Sequence, residues 1–385
     1  MTLILDRPIV GPKTHAFVIG VGHYPAAAQG VYEKLRGVPD IPSAADSAKL
    51  MCDWLVDNKD RLAAPLATLE VLISDPAPGE NRYAWTQGPV DAANYSNVMD
   101  RGEKWIERLS DEGCTAFFYC CGHGASHLQQ PILFLDDLNK AARNIWTHVN
   151  VSLLAYSLRK MPTVASAVMF SDSCGEYVPE LELERRVQDC RFFNVSPAGA
   201  THNRVALLCA AAEKALAYEG AEAADSDLRF GRFTQAVLKG LSGSSARWRR
   251  GRWSVSCRDL LDDLKSLRRV FFGHWEDLPF EPYYAVAQTD MLPVVFPDAT
   301  QFRLPLIVIT DPPERMQDYA FIISPKNDPA SPWLQTRAAG NAGAWATTVP
   351  PGLEALYAIA VRDNNHYTLL LQPKEPLFDQ WVTVP

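Results

Sequence analysis

At 385 residues, 47% apolar and 21% charged, the chain has the make-up of a folded globular protein, not a disordered one. A net charge of −8 argues against a general nucleic-acid binder, which needs a basic surface to neutralise phosphates. No stretch approaches the roughly 18 uninterrupted apolar residues of a membrane span, and Met1-Thr-Leu-Ile-Leu-Asp-Arg-Pro lacks the flanks of a signal peptide.

The length suits one domain of roughly 250 residues and a smaller one. The first strand is expected at His15–Val21, ending at Gly22, and a helix over Ser43–Leu55 with Ala44, Ala48, Met51, Cys52 and Leu55 on one face. Leu69–Ser74 reads as the second strand and Tyr95–Leu109 as the second helix. The run Thr115-Ala-Phe-Phe-Tyr-Cys-Cys-Gly-His-Gly is the third strand, Val151–Leu158 a short helix, and Ala165-Ser-Ala-Val-Met-Phe-Ser-Asp-Ser-Cys the fourth strand. Arg204–Ala210 is the fifth strand, Phe233–Leu241 and Ser256–Val270 are helices, and Tyr283–Ala287 is the sixth strand. Val178–Ala200 and Gly240–Gly251 read as loops.

Strands alternating with helices predict an α/β fold with a mainly parallel six-stranded sheet flanked by helices. From Pro297 the grammar changes. Prolines recur, helical periodicity disappears, and short runs (Leu304–Ile309, Tyr319–Ile323, Ala355–Val361, Tyr367–Leu371) alternate with turn residues, the rhythm of a small β-sandwich. The expected domains are therefore 1–296 and 297–385.

Two apolar runs end in reactive side chains, His123 and Cys174. Carboxyl ends of neighbouring parallel strands open into the crevice where α/β sheets bind ligands, so the two can meet across 51 positions of sequence. A thiolate is the attacking form of cysteine, and a nearby imidazole lowers the thiol pKa and can protonate a leaving amine. Gly124, having no side chain, can bring its N–H close to a substrate, and the Cys174 N–H would be a second oxyanion donor.

The run at His15–Val21, Gly-His-Gly at 122–124 and Asp-Ser-Cys-Gly at 172–175 resemble the caspase-like cysteine peptidases, more the metacaspases and their bacterial relatives than animal caspases. In caspases the His also precedes the Cys by roughly 50 residues. Leu35-Arg-Gly with Ala45-Asp-Ser-Ala-Lys-Leu, then Ala217-Tyr-Glu-Gly with Gly231-Arg-Phe-Thr-Gln-Ala-Val-Leu, match further family stretches in the same order, over 15–296.

The resemblance implies a caspase-like fold and a cysteine endopeptidase acting on protein or peptide substrates. His123 would be its acid–base, Cys174 its nucleophile, and Gly124 with Cys174 its oxyanion donors. It further implies a pocket in which Asp172 and Asp46 select Arg or Lys. A buried cationic side chain does need a carboxylate partner. Arg36 keeps open a pocket for Asp, as in true caspases, and a catalytically silent scaffold acting through 297–385 is the alternative of another class. Gly175-Glu-Tyr stands where metacaspases have His-Ser-Gly, and no acidic calcium cluster is recognisable, so no cofactor is expected.

Cys114, Cys120 and Cys121 with His123 do not read as a metal site, because adjacent strand residues face opposite ways and no Cys-x-x-Cys occurs. His127, His148 and His202 read as structural or solvent-facing, and His23 as lining the cleft. The basic segment with Arg247, Arg249, Arg250 and Arg252 reads as a solvated loop, as an autocleavage loop of a zymogen, or as a nucleic-acid contact through its interleaved tryptophans. The eight cysteines follow no disulfide rhythm, so the expected compartment is the cytosol, with no membrane association and a possible protein partner for the C-terminal domain.

Overall fold

Five apolar runs become the parallel centre of one sheet in the computed structural model of the chain. It describes residues 2–27, 30, 33–76, 89–127, 130–140, 146–177, 204–212, 215–221, 229–272, 280–286, 293–296, 298–330, 332–352, 354–363 and 365–385. The loop expected at Val178–Ala200, and His202, lie outside these residues.

Elements of the sheet are β1 (Leu3–Asp6), β2 (Thr14–Val21), α1 (Pro42–Asp57), β3 (Leu66–Ser74), α2 (Tyr95–Arg108) and β4 (Cys114–Gly122). After β5 (Gly124–His127), β6 (Gln130–Phe134), β7 (His148–Asn150) and α3 (Val151–Lys160) come β8 (Val164–Ser173), β9 (Glu176–Tyr177) and β10 (Arg204–Cys209). Then follow β11 (Glu219–Ala221), β12 (Arg229–Gly231), α4 (Arg232–Lys239), the hairpin β13 (Arg247–Arg249) and β14 (Arg252–Val255), α5 (Cys257–Phe271) and β15 (Tyr283–Val286).

The large sheet has the order β1-β3-β2-β4-β8-β10-β15, seven strands where six were expected. The extra strand is β1, antiparallel to β3 at the edge; four residues, only partly buried, carry little periodicity to read. β15 closes the other edge, also antiparallel. Between them β3, β2, β4, β8 and β10 run parallel. β2 and β3 are buried at every position, as a sheet covered on both faces requires.

α1 lies against one face so closely that a Cβ on Gly20 would sit 2.5 Å from the Ala48 Cβ. On the same face Phe170 packs between Phe117 and Phe233 of α4, at 5.7 and 6.5 Å between ring centroids. The other face buries Trp105 of α2 against Phe17 and Phe118, at 5.7 and 6.1 Å. The Trp105 indole N–H donates to the His15 carbonyl at 3.0 Å, so its polar edge is satisfied inside the core. A second sheet, β7-β6-β5-β9, grows from the carboxyl end of the first; its strands are too short to stand out in the sequence.

The chain forms two compact units, 1–238 with 278–293, and 239–277 with 294–385. The second thus includes the segment 239–277, which the expected boundary near 297 leaves in the first domain. The reason is pairing: β14 adds to β16 (Val294–Phe296), with Trp253 opposite Phe296, in a three-stranded sheet. The expected Gly240–Gly251 loop ends in the β13–β14 hairpin. Trp248 faces Trp253 across it, and Arg250 and Gly251 take the positive φ values (50° and 78°) that a two-residue hairpin turn demands.

Beyond 297 the all-β reading takes the form of two sheets. One contains β17 (Leu304–Asp311), β20 (Trp345–Val349) and β23 (Leu377–Thr383). The other contains β18 (Ala320–Ser324), β19 (Gln335–Arg337), β21 (Leu356–Arg362) and β22 (Asn365–Leu371). Phe321 of one meets Trp345 of the other at 6.2 Å.

Candidate active site

β4 and β8 pair in parallel through Gly122 opposite Ser173, so the next residues of each strand, His123 and Cys174, emerge side by side at their carboxyl ends. The chains stay together beyond that point, because β5 pairs with β9 through Ala125 and Glu176. Gly124 is buried in this junction. A Cβ there would lie 2.5 Å from the Ile132 carbonyl oxygen and 2.7 Å from the Ser173 Cβ, so only glycine fits. Both His123 and Cys174 are partly exposed.

The His123 ring is held by residues that reading the sequence did not single out. Its Nε2 lies 2.8 Å from the Pro39 carbonyl oxygen. A carbonyl only accepts, so Nε2 carries the proton and the neutral imidazole has its basic lone pair on Nδ1. The backbone N–H of His123 donates to the Tyr24 hydroxyl at 2.8 Å, and the two rings pack at 5.0 Å. Tyr24 is buried, and burial keeps its phenol protonated, well above its ordinary pKa, against the smaller opposing effect of that N–H.

Asp40 ties this corner together. Its Oδ1 accepts the Tyr24 N–H at 2.9 Å and its Oδ2 lies 2.9 Å from Nδ1 of His23. The neighbouring Ile41 N–H donates to the Gly22 carbonyl at 2.8 Å. The sequence signal is Val38-Pro-Asp-Ile-Pro, an interruption just before α1 that looks like an insertion and serves as a clasp.

At Cys174, the Ala217 N–H points to Sγ at 3.4 Å and the Ala217 carbonyl lies 3.7 Å away. The amide is a donor to sulfur and the carbonyl an acceptor from the thiol, so Ala217 can hold the side chain in either protonation state. Gly175 is pressed against the same segment: its N–H donates to the Ala215 carbonyl at 2.9 Å, and a Cβ would come within 2.2 Å of the Ala212 oxygen.

Asp172 is buried on the α1–α4 face, two residues before Cys174. Its Oδ2 accepts from the Thr234 hydroxyl at 2.5 Å and the Thr234 N–H at 3.1 Å, one of the otherwise unbonded first-turn amides of α4. The Thr234 hydroxyl in turn accepts from Tyr119 at 2.6 Å. Burial lifts the Asp172 carboxyl to about 6, with the two Thr234 bonds pulling the other way. Gly231 covers it, since a Cβ there would lie 2.0 Å from Oδ2; the Gly231 N–H donates to Ser47 of α1 at 2.8 Å.

The structure does not pair Asp46 with Asp172. Asp46 lies on α1 and binds Lys49 at 2.5 Å, which also reaches Asp75 at 3.0 Å. Arg36 is exposed, its Nε donating to the Gly30 carbonyl at 3.1 Å. In the second unit, Arg247 makes a two-pronged bond to Asp263 at 2.9 Å on each prong, and Arg249 binds Asp259. Arg250 and Arg252 are exposed at the hairpin turn.

His148 is buried with Nδ1 2.7 Å from the Trp146 carbonyl, a structural position. Cys120 and Cys121 face opposite sides of β4, toward Ser171 and Tyr119 respectively. Among the described residues no three His, Cys, Asp or Glu side chains are placed to hold a metal, and no helix is long and apolar enough to cross a membrane.

No protein-family model matches the sequence, and no curated protein matches it. Among solved structures the chain is similar to the crystal structure of caspase-1 from Spodoptera frugiperda, with 12% identity and a TM-score of 0.40 over 76% of this chain and 94% of that one. A likeness that loose carries no chemistry, which rests on the residues at the ends of β4 and β8.

Proposed function

We propose that the protein is a caspase-like cysteine endopeptidase that cleaves after Arg or Lys. The observation that supports this reading is the β4–β8 register: Gly122 pairs with Ser173, so an imidazole and a partly exposed thiol are the next residues of two adjacent parallel strands. In this reading the Cys174 thiolate attacks the scissile carbonyl, and the amides of Gly124 and Cys174 receive the oxyanion. The C–N bond then breaks, His123 passes to the leaving amine the proton that its Nδ1 took from the Cys174 thiol, and water hydrolyses the acyl thioester to the acid and the free thiol.

A basic preference follows from Asp172. The carboxylate is buried, its hydrogen bonds come from neutral donors, and a guanidinium or ammonium would supply the missing charge. Asp46, engaged by Lys49, would act on substrate only by exchanging that partner. Should the protein process itself, the bond after Arg250, in the hairpin turn, is the reachable one, because Arg247 and Arg249 are anchored to α5 and the residue after Arg252, Trp253, is buried and paired on both sides. A regulatory role, with the second unit binding a protein partner, belongs to the same proposal.

The test is to incubate the purified full chain with peptides ending in Arg, Lys or Asp and to sequence any new N-termini by mass spectrometry. Turnover of Arg and Lys peptides that disappears in Cys174→Ala and in His123→Ala is expected. Cleavage after Asp alone would transfer specificity to Arg36, and activity surviving in Cys174→Ala would remove the mechanism.

A further inference from the structure

We infer that Asp40 is the positioning residue of the site, holding the two groups that orient His123; this rests on the Cys–His reading proposed above. The imidazole is steered from two directions, by the Pro39 carbonyl on Nε2 and by Tyr24, which stacks on the ring and accepts the His123 N–H. Neither handle lies in a helix or strand, although the Tyr24 ring is seated in the core. Pro39 lies outside any helix or strand, in the stretch between the turn at 36–37 and α1, and having no N–H it cannot be tethered through its own nitrogen. Tyr24 lies three residues past the end of β2.

Asp40 joins them. It is covalently next to Pro39, its Oδ1 accepts the Tyr24 N–H, and its Oδ2 meets His23, both at 2.9 Å. The backbone completes the clasp on the far side, where Ile41 donates to Gly22 at 2.8 Å. Close approach is built in, since a Cβ on Gly22 would lie 2.9 Å from the Ile41 oxygen. One carboxylate therefore ties the backbone that carries the Pro39 oxygen to the backbone that carries the Tyr24 ring. Without it the ring loses both the acceptor that fixes the proton on Nε2 and the platform that fixes its tilt. Misplacement of a reacting group by about 1 Å costs on the order of 100-fold in rate.

Asp40 touches neither Cys174 nor Asp172 in any described contact, so its loss acts on kcat with KM little changed. The titratable groups of this corner are Tyr24 and His23 beyond β2 and Asp40 itself, with Cys121 on β4, Asp136 after β6 and Cys174 beyond β8 acting on Tyr24 through their charge.

The experiment reads Cys174 directly and needs no substrate: the rate of iodoacetamide alkylation of Cys174, followed by peptide mass spectrometry from pH 5 to 9, in the wild type, His123→Ala, Asp40→Ala, Asp40→Asn and Asp40→Glu. His123→Ala is expected to remove the low-pH arm of the profile; if it leaves the profile unchanged, the Cys–His reading itself fails. Given that arm, Asp40→Ala and Asp40→Glu are expected to lower alkylation at pH 6.5 by at least about tenfold. Asp40→Asn, which keeps an acceptor for the Tyr24 N–H, stays within about threefold of wild type. A wild-type profile in Asp40→Glu overturns the proposal, because charge without geometry would then suffice. Asp40→Asn as slow as Asp40→Glu, with an unchanged melting temperature, also overturns it. If Asp40→Ala does not fold, the Asn and Glu variants alone decide.

Discussion

Asp172→Asn is expected to make the protein more stable at neutral pH while removing cleavage after Arg and Lys. The carboxyl is buried and raised from an ordinary 3.8 to about 6, roughly two pH units, which at 1.36 kcal/mol per unit is ~3 kcal/mol. For an acid whose folded pKa is raised, the native state holds its proton longer than the unfolded chain. Its stabilising contribution is thus complete below about pH 4 and is lost as pH rises through about 6. Asparagine keeps an acceptor for the Thr234 N–H and carries no charge to bury. The stability difference between variant and wild type should therefore move in the variant's favour by up to ~3 kcal/mol between pH 4 and pH 7.5.

Urea denaturation of both proteins across that range measures it. The difference between them is the proper readout, because burial also raises Asp136 and Asp263 to about 6, and both titrate in the same window in either protein. The same variant should lose at least about 100-fold in kcat/KM toward Arg and Lys peptides, the scale of one buried charge pair. A stability difference that stays flat with pH would refute the assignment of Asp172 as a buried ionising group. Unchanged cleavage after Arg would refute its role in specificity.

Gly231→Ala places a methyl 2.0 Å from Asp172 Oδ2 and should cost about 1–3 kcal/mol by denaturation while lowering turnover of basic peptides. Tyr24→Phe keeps the ring on His123 but leaves the His123 N–H without its acceptor, for a loss of about 1–2 kcal/mol and slower Arg-peptide turnover in a steady-state assay. Arg247→Ala strands the buried Asp263 and should destabilise by about 3–5 kcal/mol at pH 7.5, less at pH 5 where that carboxyl takes up a proton; melting curves at the two pH values check the ordering.

Much of the first unit could be read from the chain because its strands are buried on both faces. That condition turns β2, β3, β4, β8 and β10 into near-continuous apolar runs, and alternation with amphipathic helices then fixes a parallel sheet. Short strands such as β1, only partly buried, and the two-residue β9 carry no such signature. The β13–β14 hairpin was hidden for a different reason. Its arginines suggest a solvated loop, and only the tertiary partners Asp263 and Asp259 anchor Arg247, which is partly buried, and Arg249, which stays exposed.

Local pattern alone determined that His123 and Cys174 end two buried runs, because burial acts residue by residue along a strand. Side-by-side placement required the register, a property of two strands together. The Pro39 carbonyl on His123 and Thr234 on Asp172 join residues 84 and 62 positions apart. Such contacts leave no periodicity in the chain, since a hydrogen bond across that distance constrains geometry without constraining the residues between. The sheet register sets where His123 and Cys174 leave their strands, and the Pro39 carbonyl, which only a folded chain brings to the ring, holds the proton on Nε2.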